Sequence, residues 1–335
     1  MVTAVGSMPG SDPQEAARIV AGELDVPHVA ELPARGPGAD MVGRTLGMVV
    51  AATGEFAAET TPTGWRLAGV RAGGDPGRQM RRAASWLAED ADRLEEHLLG
   101  FTGTLKLQVA GPWTLAATVE TTRGTALLAD AGACADLAGA LAEAVAAQVE
   151  GFARRVPAAA RLVVQLDEPL LDAVVAGRIG TPSGRGRVRA PGTPELVDQL
   201  GRVAGAVRAR NAVPAVHSCA RTVPTDILAR AGFDLLSVDA VTLGARADED
   251  LGRWWDAGGT VVLGVAPALD SPRATPDALA SLVAATWSRI GFAVADVGPR
   301  TWLSPTCGLA GASPAWARQV GGLLRRTARL LESAD

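Results

Sequence analysis

Short apolar runs rich in β-branched residues recur along the chain, each ending in small or polar residues and leading into a stretch whose apolar positions fall three or four apart. Strands are expected at 3–5, 28–32, 105–109, 162–166, 213–217, 235–238, 261–265 and 301–303. Between them, 131–155, 194–210, 276–287 and 314–333 carry helical spacing, and several open on Thr-Pro or Ser-Pro, which places Pro in a first helical turn. Strands alternating with helices imply a parallel sheet with helical crossovers, and eight of them imply an α/β fold of the (β/α)8 TIM-barrel type.

The connection from about 40 to 100 is long for a crossover. It predicts a hairpin turning at Thr63-Gly64, with arms at 56–60 and 65–70, followed by a helix through 80–99. No internal repeat or interdomain linker is apparent, so the expectation is a single barrel over 1–335 with an insertion at about 40–100. The stretch 180–194 contains Gly, Pro, Ser, Arg185, Arg187 and Arg189. It reads as a loop after the fourth strand, either a solvated linker or an anion-binding lid.

With 48% apolar and 20% charged residues, the 335-residue chain can bury one large core and is not disordered. A net charge of -4 offers no counterion-release drive toward nucleic acid, which is excluded as an expected partner. Lys106 is the only lysine. The opening MVTAVGSMPGSDP lacks the basic head and apolar run of a secretory signal, and no apolar run approaches the ~20 residues that span a bilayer. A cytoplasmic location without a membrane partner is expected. Three scattered cysteines, Cys134, Cys219 and Cys307, do not make a disulfide framework and are core, catalytic or metal-bound.

The strands end in Gly6-Ser7, Gly111-Pro112-Trp113-Thr114, Asp167-Glu168-Pro169, His217-Ser218-Cys219, Asp239 and Pro305-Thr306-Cys307-Gly308. In a parallel barrel these positions converge on the C-terminal face, where active sites of this fold lie. A lone His or Cys at a strand end is more often a core residue. His217, Cys219 and Cys307 together offer one nitrogen and two sulfurs, a soft set suited to Zn2+. Cys134, on an Ala-rich helical stretch, reads as core. His28 and His97 belong to no motif. Trp113 is either a platform for a flat methyl donor or a core residue. Asp167-Glu168-Pro169 taken alone also fits a strand-to-loop turn with capping carboxylates.

GSMPG near the start, GPW-T, QLDEP, H-S-C, SVD and SPTCGL occur in order over 6–309. In this ordered set the sequence resembles the catalytic barrel of cobalamin-independent methionine synthase, a shorter single-barrel relative being the closer comparison. The resemblance implies zinc held by His217, Cys219, Asp239 and Cys307, with Asp239 standing where the family has Glu. It further implies that the metal binds the thiol of homocysteine, that Asp167 fixes the acceptor's ammonium with Glu168 in support, and that Gly6 and Ser7 lie near the amino acid.

Two positions depart from the family. Leu269 stands where the family carries a His after the seventh strand, and Arg35 aligns with a Glu that helps hold homocysteine. Arg35 in the site would favour an anionic group on the acceptor, and a missing proton donor would favour a methyl-corrinoid over a folate. The implied function is zinc-dependent methyl transfer from a folate or corrinoid donor to a small-molecule thiol, homocysteine becoming methionine. The alternatives are another zinc-thiol alkyl transfer with a corrinoid donor or different thiol, and a zinc-binding barrel without catalysis.

Overall fold

The structure, a computed structural model, describes residues 1–68, 77–182 and 184–333. Its strands are β1 (Ala58–Thr61), β2 (Gly64–Leu67), β3 (Thr104–Ala110), β4 (Val119–Glu120), β5 (Arg161–Asp167), β6 (Val213–Ser218), β7 (Leu235–Asp239), β8 (Thr260–Ala266) and β9 (Thr301–Pro305). Six of these, in the order β3-β5-β6-β7-β8-β9, form one curled parallel sheet, and they coincide closely with the last six expected strands. Helices bridge successive strands. Ala131–Arg155, for example, starts at Asp130, whose carboxylate accepts the Ala133 N–H at 3.1 Å, and buries Leu137, Leu141, Val145 and Val149 along one face. That helix is long and apolar enough to cross a membrane, but 56% of its apolar window is buried, as a core helix requires.

Two apolar clusters separate the inside of the sheet from its outside. Val26, Val163, Ala215, Leu235, Val262 and Trp302 pack together on the concave side, whereas Val164, Val216, Leu236, Val261 and Leu303 belong to the large cluster under the helices. This is the alternation of strand side chains between two faces. Two residues further along the strands, the concave positions are Gln165, His217, Ser237, Gly264 and Ser304; the four with side chains are buried and polar. The interior thus changes from an apolar plug to a polar layer toward the strand C-termini.

The first two expected strands, 3–5 and 28–32, are not regular strands. Isolated parallel bridges join Val2 to Leu303, Ser7 to Glu31 and His28 to Lys106. Each bridge keeps its own backbone bonds, Glu31 N–H donating to Gly6 O at 3.1 Å for instance, but the ladder does not extend: Val5 O accepts from Lys106 Nζ at 2.6 Å and Gln165 Nε2 at 2.9 Å, and Pro27 has no N–H to give.

Between about 40 and 100 lie helix Met41–Thr53, the antiparallel hairpin β1-β2 turning at Thr63 as expected, and helix Gly77–His97. The hairpin gains β4 as a parallel neighbour, a strand too short to show in the sequence pattern. The end of the expected second arm, 69–70, and Ser183 of the Arg-rich loop lie outside the described residues. In that loop Arg185, Arg187 and Arg189 are exposed, and Arg187 donates to Arg178 O at 3.0 Å.

The N-terminal helix Pro13–Glu23 and the C-terminal helix Pro314–Glu332 pack together. A Cβ built on Gly321 would stand 2.4 Å from Glu23 O, whereas one on Gly322 would meet nothing closer than Arg326 Nη1 at 3.5 Å. Ala is favoured over Gly in a helix by about 1 kcal/mol. Gly322→Ala should therefore raise the denaturation midpoint while Gly321→Ala lowers it, despite the same gain in propensity. A rise in both variants would show that the two helices do not approach this closely.

Candidate metal centre and acceptor site

His217 lies one residue before the end of β6, flanked in register by Asp167 of β5 and Ser237 of β7. Its ring is 3% exposed, with Nδ1 3.0 Å from Ser237 Oγ. Its Nε2 is buried and has no partner. An unpartnered buried ring nitrogen is costly unless something else binds it, and a hydrogen bond at the other nitrogen is the usual support of a metal-binding imidazole.

Cys219 and Cys307 supply that something's other ligands. One donor atom from each of His217, Cys219 and Cys307 lies within 4.8 Å of the others. Cys307 reaches the group because β8 bulges between Gly264 and Ala266, and Thr306 N–H then bonds Ala266 O at 2.8 Å. A Cβ on Gly264 would come within 2.8 Å of Thr306 Cα, so only glycine lets the Cys307 loop pass this close. The neighbouring Cys219 thiol pulls Cys307 well below the usual thiol range, and the same contact pushes Cys219 up. The soft donor set, the fixed imidazole and its orphaned nitrogen fit a zinc ion.

Asp239 is buried at the end of β7 but outside this three-residue group. Its Oδ1 accepts N–H groups from Val241 at 2.9 Å and Thr242 at 3.3 Å, and its charge contributes to raising Cys219. Of Gly6 and Ser7, it is Ser7 that touches the Cys307 loop. Ser7 O accepts from Leu309 N–H at 2.8 Å, and Ser7 Oγ occupies the space a Gly308 Cβ would fill, so Ser7 abuts the Cys307 loop.

Asp167 is buried beside His217, and its Oδ1 accepts from Gln165 Nε2 at 2.7 Å. Loss of water, and then the nearby Glu31 carboxylate, push it well above the usual range, with Lys106 opposing. Glu31 is the acidic residue that the sequence reading missed. It is 5% exposed, bridges in register with Ser7, and has Arg44 at 3.9 Å; burial pushes its carboxyl up as well. The available signal was a lone acid inside the apolar run HVAEL.

Three sequence expectations need correction. Arg35 does not face the site: its guanidinium pairs with Asp90 at 3.0 Å and Glu89 at 3.4 Å, and Nε donates to Ser11 O. Trp113 is no donor platform, being 1% exposed with its indole N–H on Leu196 O at 3.2 Å. Glu168 is a helix cap rather than a group open to substrate. Its carboxylate accepts Trp113 N–H at 2.9 Å, Thr114 N–H at 2.8 Å and the Thr114 hydroxyl at 2.7 Å, and burial pushes it up to about 7. Gly111 makes this possible, because a Cβ there would overlap the Glu168 carboxylate at 2.3 Å. Leu269 is exposed on the loop after β8, and Cys134 is buried, its thiol pushed up to about 12.

The family description that matches is the cobalamin-independent synthase catalytic domain, over residues 107–329. Among solved structures, a B12-independent methionine synthase from Shewanella sp. W3-18-1, in complex with selenomethionine, superposes with a TM-score of 0.58 at 14% identity, covering 99% of this chain and 98% of that one. A methylaspartate ammonia lyase from Clostridium tetanomorphum superposes with a TM-score of 0.43 at 12% identity, covering 100% of this chain and 60% of that one. No curated protein matches. Since the family match spans more than half of its length, the chain belongs to the cobalamin-independent synthase catalytic-domain family.

Proposed function

We propose that this protein is a zinc-dependent methyltransferase that methylates a thiol amino acid, homocysteine being converted to methionine. The observation that carries the reading is the meeting of His217, Cys219 and Cys307 beside two buried carboxylates, Asp167 and Glu31. His217, Cys219 and Cys307 hold the ion, and Asp239, beside Cys219, is proposed as the fourth ligand. A zinc ion bound there supplies the positive charge that keeps an acceptor thiol in its nucleophilic thiolate form at neutral pH. Asp167 and Glu31 receive the acceptor's ammonium, which relieves the repulsion between them. Glu168 holds the helix Pro112–Thr118 in place under Asp167, and the Gly6-Ser7 backbone forms the wall nearest Cys307.

Arg35, paired with Asp90, gives no reason to expect an extra anionic group on the acceptor, so plain homocysteine is the proposed substrate. The family's cobalamin independence favours a folate donor over the methyl-corrinoid expected from Leu269. The isolated bridges Val2–Leu303, Ser7–Glu31 and His28–Lys106 support a closed (β/α)8 ring over 1–335 as one unit, with 40–100 as an insertion.

Purified protein should contain close to one zinc per chain, and His217→Ala and Cys307→Ser should each lose most of it. Asp239→Asn should weaken retention less than Cys219→Ser, since an amide keeps an oxygen ligand and a lost thiolate is not replaced. Metal analysis after dialysis against a chelator reads both, and full retention in the His217 and Cys307 variants would defeat the site.

Methionine formation from homocysteine should be measurable with methyl-tetrahydrofolate, and methylcobalamin run in parallel tests the other donor. Asp167→Asn should raise the homocysteine KM by about tenfold, the size of one charge-assisted hydrogen bond, while Arg35→Glu leaves acceptor preference unchanged. Zinc content without methionine from either donor would favour the non-catalytic barrel instead.

A further inference from the structure

Lys106 is the only lysine in the chain, and it is 2% exposed inside the sheet. Nothing in the proposed chemistry uses it. In the β3–β5 register it pairs with Val163, whereas Ala110 pairs with Asp167, so its backbone lies roughly 13 Å below the Asp167 level at ~3.3 Å per residue. The ammonium reaches up only as far as Val5 O at 2.6 Å and Gln165 Oε1 at 2.9 Å. It therefore stops one side-chain layer short of the acceptor.

That layer is the Gln165 amide. An ammonium group has three donors and no acceptor, so Gln165 must turn its carbonyl oxygen toward Lys106. The other end of the amide then points the opposite way, and Gln165 Nε2 donates to Val5 O at 2.9 Å and to Asp167 Oδ1 at 2.7 Å. Val5 O and Asp167 Oδ1 favour the same direction, and Lys106 is the contact that satisfies the Oε1 end. A neutral side chain at 106 would leave Oε1 buried without that donor, so the amide would lose one of the contacts that hold it.

We propose that Lys106 is a positioning residue for the acceptor: by holding the Oε1 end of the Gln165 amide, it keeps Nε2 in place as the donor that holds the Asp167 carboxylate in one orientation toward the acceptor's ammonium. This rests on the acceptor reading above. Burial lowers Lys106 to about 8, with Asp167 and Glu31 opposing, so the ammonium form that the relay needs persists at neutral pH. The same ammonium and the same amide share Val5 O, so the relay also ties the Gly6-Ser7 segment to Asp167.

The test compares dissociation constants of homocysteine and γ-mercaptobutyrate, which lacks only the amino group, on the zinc-loaded protein. Two variants are needed. Lys106→Met removes the cation that holds Gln165 Oε1, and Gln165→Glu keeps an acceptor for Lys106 but has no donor for Asp167. Both should weaken homocysteine by about tenfold and leave γ-mercaptobutyrate within about twofold, the loss being that of one charge-assisted hydrogen bond. Isotope-labelled lysine gives a single resonance in this chain, which homocysteine should shift and γ-mercaptobutyrate should not. Equal weakening of both thiols, or unchanged homocysteine binding in Gln165→Glu, overturns the relay while the acceptor reading stands. If Lys106→Met does not fold, Gln165→Glu and the lysine resonance decide. Failure of the wild-type protein to bind either thiol overturns the acceptor reading and the relay together.

Discussion

A carboxylate moved from water into the inside of a sheet needs donors or a cation close by, or it takes up a proton. This requirement organises the polar end of the interior. Glu31 and Asp167 bring two negative charges into a space closed below by Val163, Ala215, Leu235, Val262 and Trp302. Lys106 and Arg44 bring the compensating positive charges, and Gln165 and Gln108 fill the gaps between with amides. The apolar plug keeps water from entering from the other end.

The His217, Cys219 and Cys307 group depends on a second constraint, the common direction of parallel strands. β6 and β9 end at the same face, so a His-x-Cys on one and a Cys two residues past the other can meet despite lying some ninety positions apart, roughly the span of several crossover units. The Gly264 bulge turns that general convergence into a contact. Without the missing Cβ, Thr306 would ride higher and Cys307 would clear the imidazole. Ser237 completes the arrangement from the strand between by fixing the ring.

The six regular strands could be read from sequence because both faces of each are buried, which writes them as continuous apolar runs with polar ends. His217, Cys219 and Cys307 could be read because soft ligands at strand ends are scarce. What stayed hidden were partnerships decided by distant chain. The Asp90 partner of Arg35 comes from helix Gly77–His97, and the groups capped by Glu168 come from the start of helix Pro112–Thr118. The first two expected strands are bridges rather than regular strands because side chains of Lys106 and Gln165 take Val5 O, and no periodicity records that exchange. Glu31 was passed over because it sits in a run that otherwise reads as wall.

Asp167 and Glu168 show how neighbouring carboxylates acquire different work. Glu168 has three donors from its own chain, two backbone N–H groups and a hydroxyl, and a glycine has been cleared to admit it. Three of its roughly four lone-pair sites are occupied, and a ligand could compete for those only by uncapping a helix. Asp167 accepts one side-chain hydrogen bond, from Gln165, and shares its surroundings with another carboxylate. It is under-supplied with donors in a place where donors matter most. An ammonium offers three, so on the proposed reading the free energy to be gained at this face lies at Asp167. The same count separates Asp239 from Asp167: two backbone N–H groups already face Asp239 Oδ1, and its charge acts on Cys219.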